Sequence, residues 1–248
     1  MPTEHAQTTQ YFNYRLTDDL SAISLAAQDG KARVVNCLNP HSFVTALDDA
    51  DFRTALEESD YLLPDGEGIC LTLKWWKGMR VAKVAGDDLH RYLLEALERR
   101  GGRVFYMGSR PEVLELIAKR IEREYPSTAV ATLSPSYGAT LSEDESRRIV
   151  EAINAFAPDV VMVGMTAPKQ EKWVWTHVEQ LKGVKVVANI GAVFDFFSGT
   201  VRRAPQWAIR MKLEWLVRLV KEPRRMWRRN FNSSPRFLRW TYRHRKKM

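Results

Sequence analysis

The chain has 248 residues, 45% of them apolar, which is enough for one large domain with its own core. No apolar run approaches the roughly 18–20 residues that cross a bilayer. The polar start, Met1 to Gln10, lacks the apolar centre of a signal peptide, and the two cysteines, Cys37 and Cys70, make neither a disulfide framework nor a metal-ligand spacing, so a cytoplasmic setting is expected. The formal charge of +8 is divided: residues 201–248 carry 16 Lys/Arg against 2 Asp/Glu, a net of +14, and leave the first 200 residues at −6. An acidic body with a basic tail implies that the tail has an anionic partner of its own.

In chain order, residues 1–13 read as loosely attached, and Leu16 to Gln28 carries helical spacing opened by Thr17-Asp18-Asp19. Ala32 to Cys37 is a β-branched strand ending at Leu38-Asn39-Pro40, followed by short helices over His41–Leu47 and Asp51–Glu58. Tyr61 to Leu63 is too brief for a helix and reads as a buried strand, which Pro64 ends for want of an N–H. Asp65-Gly66 turns sharply, and Ile69 to Trp76 resumes with helical spacing. Gly86 to Arg100 is amphipathic, with Leu89, Leu93, Leu94 and Leu97 on one side.

The alternation then becomes regular. Strands are expected at Arg103–Met107, Ala129–Leu133, Asp159–Val163 and Lys185–Ile190, and helices at Pro111–Tyr125, Ser142–Phe156 and Pro168–Leu181. Ser142-Glu-Asp-Glu145 is a capping-box pattern. Strands separated by helices of this length predict βαβ units. The expected fold is α/β: a Rossmann-like, mostly parallel sheet flanked by helices over residues 1–200, with a basic helical appendage at 201–248.

Asp65 falls just past the C-terminal end of a strand, on the rim where open parallel sheets bind ligands, and is the candidate general base. Glycines punctuate three further strand ends: Gly108, Gly164 and Gly191. Taken singly each fits any βα turn; three on one edge favour a phosphorylated ligand approached by backbone N–H groups. Rival chemistries fare worse. Gly66-Glu-Gly68 lacks the third glycine of a dinucleotide fingerprint, and Lys169 lacks the glycines of a P-loop. Asp49-Ala-Asp51 matches a metal-holding D-x-D but sits between helical segments, where a solvated loop explains it better. The five histidines have no ligand spacing, so no metal and no cofactor are expected. Lys83, Arg110, Lys169 and the tail arginines are the cations left to face a phosphate leaving group.

In the tail, Ile209, Leu213, Leu216, Val217 and Val220 share a helical face, and Trp215, Trp227, Phe231, Phe237, Trp240 and Tyr242 interleave with arginines. That mixture suits the headgroup level of an anionic membrane. It also suits nucleic acid. Membrane contact is preferred, because the acidic body offers no second basic surface for a duplex. The alternative is a nucleic-acid-associated α/β domain with a basic tail. Homo-oligomerisation is left open.

From about Ala32 to Arg229 the chain resembles the WecG/TagA/CpsF family of bacterial glycosyltransferases. The matching pieces are Asn39-Pro40, Pro64-Asp65-Gly66, Val84-Ala-Gly86-Asp-Asp-Leu89, Val104-Phe-Tyr-Met-Gly108, Pro168-Lys-Gln-Glu171, Gly191-Ala-Val-Phe-Asp195, Arg203-Ala-Pro205, Glu214-Trp-Leu-Val-Arg-Leu219 and Glu222-Pro-Arg-Arg225. The resemblance implies metal-independent, inverting transfer of a hexose-type sugar from a UDP-sugar to a polyprenyl-diphosphate-linked saccharide in cell-surface polysaccharide synthesis. It places the enzyme peripherally on the inner face of the cell membrane. It makes Asp65 the base that deprotonates the acceptor hydroxyl, and gives Asn39 and Gln170 the positioning of sugars. Arg218, Arg225 and Arg228 fall where the appendage faces the pyrophosphate. Gly108 and Asp88, inside matching stretches, join the substrate-binding set. So do Cys37, where the family pattern usually has threonine, and Lys83, where it usually has arginine; both departures bear on the donor sugar. Thr166, where glycine is usual, is a smaller one.

Overall fold

The short β-branched runs of the chain pair into one sheet, and the amphipathic segments between them cover it. A computed structural model describes residues 8–26, 30–136, 138, 140–201 and 233–248. Within those residues the strands are β1 (Thr8–Tyr11), β2 (Tyr14–Thr17), β3 (Arg33–Leu38), β4 (Tyr61–Pro64), β5 (Arg103–Gly108), β6 (Ala129–Leu133), β7 (Val160–Gly164) and β8 (Val186–Asn189). They lie in the order β1-β2-β4-β3-β8-β7-β5-β6, with β1 and β2 antiparallel and every other neighbouring pair parallel. The helices, numbered among the described residues, are α1 (Pro40–Asp48), α2 (Ala50–Glu57), α3 (Glu67–Lys77), α4 (Gly86–Glu98), α5 (Pro111–Glu124), α6 (Glu143–Phe156), α7 (Lys169–His177), α8 (Val193–Phe197) and α9 (Ser234–His244).

Strand side chains alternate between the two faces, and both faces are covered, which is why the central strands are apolar throughout. Val104 and Tyr106 of β5 pack with Val160 and Met162 of β7 under α4, α5 and α8. Phe105, Met107, Val161 and Val163 pack on the other face, under Ile149 and Ile153 of α6 and Trp173 and Val174 of α7. Leu89, Leu93, Leu94 and Leu97 of α4 are fully buried, each contributing roughly 1.5–3 kcal/mol.

A third cluster joins both ends of the chain. Phe43 of α1 meets Tyr11, Phe12 and Tyr14 from the N-terminal hairpin and Phe237 and Trp240 from α9, with ring centroids 5.1–5.9 Å apart. Arg236 pairs with Asp48 at 2.5 Å, and the His41 ring meets the Ser233 hydroxyl at 2.8 Å. Much of the apolar face of α9 is therefore spent on the body.

Two expectations at the N-terminus are corrected. Residues 8–11 are not loosely attached, since β1 pairs with β2 and Tyr11 is fully buried, its hydroxyl 2.8 Å from that of Thr72. Nor does a helix span Leu16–Gln28. Tyr14 and Leu16 point inward with Arg15 outward, a period of two, and Asp19 then caps a single 3₁₀ turn, Leu20–Ala22, through Ser21 N at 2.9 Å. The Ser142 pattern is half a capping box. Ser142 Oγ accepts from Glu145 N at 3.2 Å, but the Glu145 carboxylate turns instead to the amide and hydroxyl of Ser136.

Truncating the aromatic that pins α9 tests this packing. Phe237→Ala should cost about 3 kcal/mol in urea unfolding and open residues 233–248 to protease, whereas Leu238→Ala at an exposed position of the same helix should do neither. Equal protease resistance in both variants would contradict the assigned packing.

Candidate active site

Because β3 to β8 all run parallel, their C-terminal ends share one rim, and the loops leaving it bring Cys37–Pro40, Asp65–Gly68, Gly108–Arg110, Gly164–Glu171 and Ile190–Val193 to the same edge. The connection after β5 goes to α5 on one face, and that after β7 goes to α7 on the other. Neighbouring strands whose connections diverge in this way open a crevice at their carboxyl ends, the usual ligand position in such sheets. Gly108 and Gly164 pair at its floor. A side chain on Gly108, whose φ is +121°, would come within 2.6 Å of Gly164 O, and one on Gly164 would strike the Phe194 ring, so the backbones approach as closely as they do only without a Cβ.

Asp65 is half-buried on this rim. Its N–H donates to Leu38 O at 2.9 Å, extending the β3–β4 ladder one residue beyond Pro64, while Pro64 O accepts from Val84 N at 3.0 Å. Pro64 is thus the last residue of β4, paired with Leu38, and the strand ends there as expected. The N–H that Pro64 lacks would have pointed away from β3, where β4 pairs with β2 only at Leu16↔Leu62. Gly66 then takes φ +123°, a left-handed conformation open to glycine, with the Asn39 and Pro40 side chains 3.4–3.5 Å from where a Cβ would sit.

The Val84 bond also brings Lys83 and the start of α4 to the rim, where Gly86 packs on Ile190 and Val193. Helices α3, α5 and α7 begin at Gly66, Arg110 and Pro168 without a side-chain cap, leaving first-turn N–H groups for solvent or an anion.

The remaining sequence candidates divide. Asn39 caps α1, its Oδ1 accepting from His41 N and Ser42 N at 3.0 Å. Asp88 is largely committed to α4: Oδ2 accepts from Ala85 N at 3.0 Å, and Oδ1 pairs with Arg91 at 3.2 Å. Gln170 is buried, Oε1 accepting from Met165 N at 3.2 Å and Nε2 donating to Glu171 Oε1 at 2.9 Å. Burial pushes the Cys37 thiol well above its usual range, and the nearby Asp65 and Glu171 carboxylates add to the effect, so Cys37 stays a neutral thiol. Arg218, Arg225 and Arg228 lie outside the described residues. The D-x-D is not a solvated loop: Asp49 caps α2 through Phe52 N at 3.0 Å, and Lys172 reaches both Asp49 at 3.0 Å and Asp51 at 3.4 Å.

Two buried polar groups escaped the sequence reading as functional residues. His90 is locked to the Tyr106 hydroxyl at 2.7 Å, and burial drives its pKa down to about 3, so it is a neutral core histidine and not a proton carrier. Glu171 is 4% exposed, and burial raises its carboxyl to about 7. Its signal was a carboxylate in the first turn of a helix at a strand end, a position that usually reads as a solvated, dipole-stabilising residue.

An open α/β sheet whose carboxyl rim gathers a half-buried carboxylate and uncapped helix starts has the architecture in which ligands usually bind at that rim. Residues 8–248 match the family described as Glycosyl transferase WecG/TagA/CpsF family, and the chain belongs to it: the protein is a glycosyltransferase. It is 31% identical over 230 residues to the N-acetylglucosaminyldiphosphoundecaprenol N-acetyl-beta-D-mannosaminyltransferase of Bacillus subtilis (strain 168), covering 92% of this chain and 87% of the relative. The protein of the same name from Bacillus spizizenii (strain ATCC 23059 / NRRL B-14472 / W23) is 29% identical over 245 residues, 98% of this chain and 92% of the relative.

The Glu171 environment predicts a pH dependence. A carboxyl held at about 7 against an ordinary 4.5 binds its proton more tightly folded than unfolded, so its contribution is complete below pH 4.5 and is lost as pH rises through 7. Between pH 5 and 8 this amounts to about 2–3 kcal/mol. Glu171→Gln should flatten that loss in urea titrations at the two pH values; a variant as pH-sensitive as the native protein would contradict the buried assignment.

Proposed function

We propose that the protein transfers a hexose-type sugar, N-acetylmannosamine being the first candidate, from a UDP-sugar to a polyprenyl-diphosphate-linked saccharide. Transfer proceeds with inversion and without a metal ion, in cell-surface polysaccharide synthesis. The observation that carries this reading is Asp65, a carboxylate fixed by the backbone at the sheet rim beside the Cys37–Asn39 strand end and the start of α4. The relatives support the acceptor class, since both are named for N-acetylglucosaminyldiphosphoundecaprenol and for N-acetyl-beta-D-mannosamine transfer.

In this reading the acceptor hydroxyl gives its proton to the Asp65 carboxylate as its oxygen bonds to the anomeric carbon. The bond from that carbon to the UDP β-phosphate oxygen breaks on the opposite face, and one displacement inverts the centre. Negative charge grows on the departing diphosphate, and the uncapped starts of α5 and α7, with Lys83 and Arg110 nearby on the rim, are placed to stabilise it. Arg218, Arg225 and Arg228 are proposed to join them from the appendage. Metal independence is supported by the D-x-D aspartates, which are spent on a helix cap and on Lys172.

No described helix is long and apolar enough to cross a membrane, so a lipid-linked acceptor calls for peripheral docking. The face best suited to it joins α9 to the end of α3. There Tyr242 of α9 packs on Trp76 of α3 with ring centroids 5.7 Å apart and lies under the Arg245 guanidinium, and the two segments expose Trp75 (56%), Met79 (42%), Leu238 (43%) and Tyr242 (54%) along with Lys74, Lys77, Arg239 and Arg243. Aromatic and long apolar side chains among cations match an anionic headgroup layer.

Asp65→Asn should lower kcat by about 10²–10⁴ while calorimetry shows UDP-sugar binding within a few-fold of native; near-native turnover would remove Asp65 from the mechanism. Reversing Arg239 and Arg243 to glutamate should weaken sedimentation with phosphatidylglycerol vesicles about thirtyfold or more, at about 1 kcal/mol per lost cation. Unchanged sedimentation would take this face out of membrane docking.

A further inference from the structure

Glu171 is costly where it stands. It is 4% exposed, and among the described residues its Oε2 has no hydrogen-bond partner. The cations on its own helix are turned elsewhere: Lys169 Nζ donates to Gly138 O at 2.9 Å, and Lys172 is held by Asp49 at 3.0 Å. A leucine of similar size would avoid the desolvation, so stability does not explain a carboxyl group here. Apart from its own backbone N–H, what the carboxyl does engage is Gln170 Nε2, which donates to it at 2.9 Å.

That bond settles an ambiguity built into every carboxamide, whose two ends differ only in being donor or acceptor. At one end, Met165 N–H can only donate, and it holds Gln170 Oε1 at 3.2 Å. At the other, the Glu171 oxygen accepts, and it holds Nε2. The two partners agree on one orientation and use one of the two Nε2 protons. Gly191 lies against the carboxamide, where a Cβ would come within 3.7–3.8 Å of both its ends, so the β8 side adds no side chain over it. The Glu171 carboxylate is within electrostatic reach of Cys37, as is Asp65, so both belong to the end of the sheet where β3 finishes.

The geometry points to Glu171 as the positioning residue for Gln170, fixing which way its carboxamide faces at the rim and thereby the affinity for the donor sugar. This rests on the donor reading given above, in which Gln170 contacts the sugar. Glu171 itself touches no reacting atom. An interaction of this kind is made equally in ground and transition states, so its loss raises KM and spares kcat.

The test compares Glu171→Leu, which removes the acceptor, with Glu171→Gln, which keeps one. The Gln170 side-chain amide protons, assigned by their absence in Gln170→Met, report the orientation by solvent exchange in the unliganded protein. Steady-state kinetics with UDP-N-acetylmannosamine and a synthetic polyprenyl-diphosphate N-acetylglucosamine acceptor report the consequence. Glu171→Leu should speed amide exchange and raise the donor KM, each by about tenfold, with kcat within about threefold. Glu171→Gln should stay within about twofold of native on all three, and thermal unfolding should show both variants folded. Unchanged amide exchange in Glu171→Leu, an unchanged donor KM, or a Glu171→Gln variant as impaired as Glu171→Leu would each overturn the assignment. Absence of turnover in the native enzyme would instead sink the donor reading, and the amide exchange would still decide the orientation.

Discussion

Two backbone hydrogen bonds on either side of Pro64 fix where Asp65, the proposed base, leaves the sheet. Asp65 N to Leu38 O, at 2.9 Å, carries the β3–β4 ladder one residue past the strand, so the catalytic candidate leaves the sheet in a fixed direction. Val84 N to Pro64 O, at 3.0 Å, uses the edge of β4 that β2 does not reach and brings the start of α4 alongside. A proline suits this place because the donor it lacks would have faced the Val84 side. The resulting loop is short, and Gly66 turns it back at once into α3, so the carboxylate is held by rigid neighbours rather than by a long flexible arm.

Around that point the rim is closed by contacts that only small or polar groups permit. Gly108 and Gly164 let β5 and β7 end together at the crevice floor, and Phe194 fills the space a side chain on Gly164 would occupy. Between β3 and β8, Asn189 donates to Asn36 at 2.7 Å, and Asn36 donates in turn to Ser59 at 2.7 Å and Ala55 O at 3.2 Å. This buried chain ties the sheet to the α2 layer one residue before Cys37. Both Asn36 side-chain ends are engaged, while the buried Asn189 Oδ1 has no hydrogen-bond partner among the described residues, so the chain adds specificity of register more than stability. The C-terminal segment is bound into the same structure, because Phe237 and Trp240 share a cluster with Phe43, the aromatic two residues after His41 in α1.

Most of the fold was legible because its signals were local and agreed with one another. The valine-rich runs, the α4 leucines and Pro111 at the first turn of α5 each dictated an element that the structure has. The N-terminal hairpin was not legible, because four-residue strands such as Tyr14–Thr17 are too short to display a period, and Tyr11 is buried only by partners far along the chain. At the proposed site, the rim positions of Asp65 and the glycines could be read from strand-end punctuation. Glu171 could not, because a carboxylate in a first helical turn is ordinary until tertiary packing seals it from water. Asn39 and Asp88 show the converse: both fell in matching stretches, and both are engaged as local helix caps at the rim.

The central claim is that the sugar donor lies on this rim with its reacting carbon facing Asp65. A crystal structure with UDP-N-acetylmannosamine measures it directly. The account predicts the diphosphate at the starts of α5 and α7, and the Asp65 carboxylate on the face of the anomeric carbon opposite the diphosphate, with space for one hydroxyl oxygen between them. A donor bound with Asp65 on the diphosphate side, or bound away from the carboxyl ends of β4, β7 and β8, would contradict it.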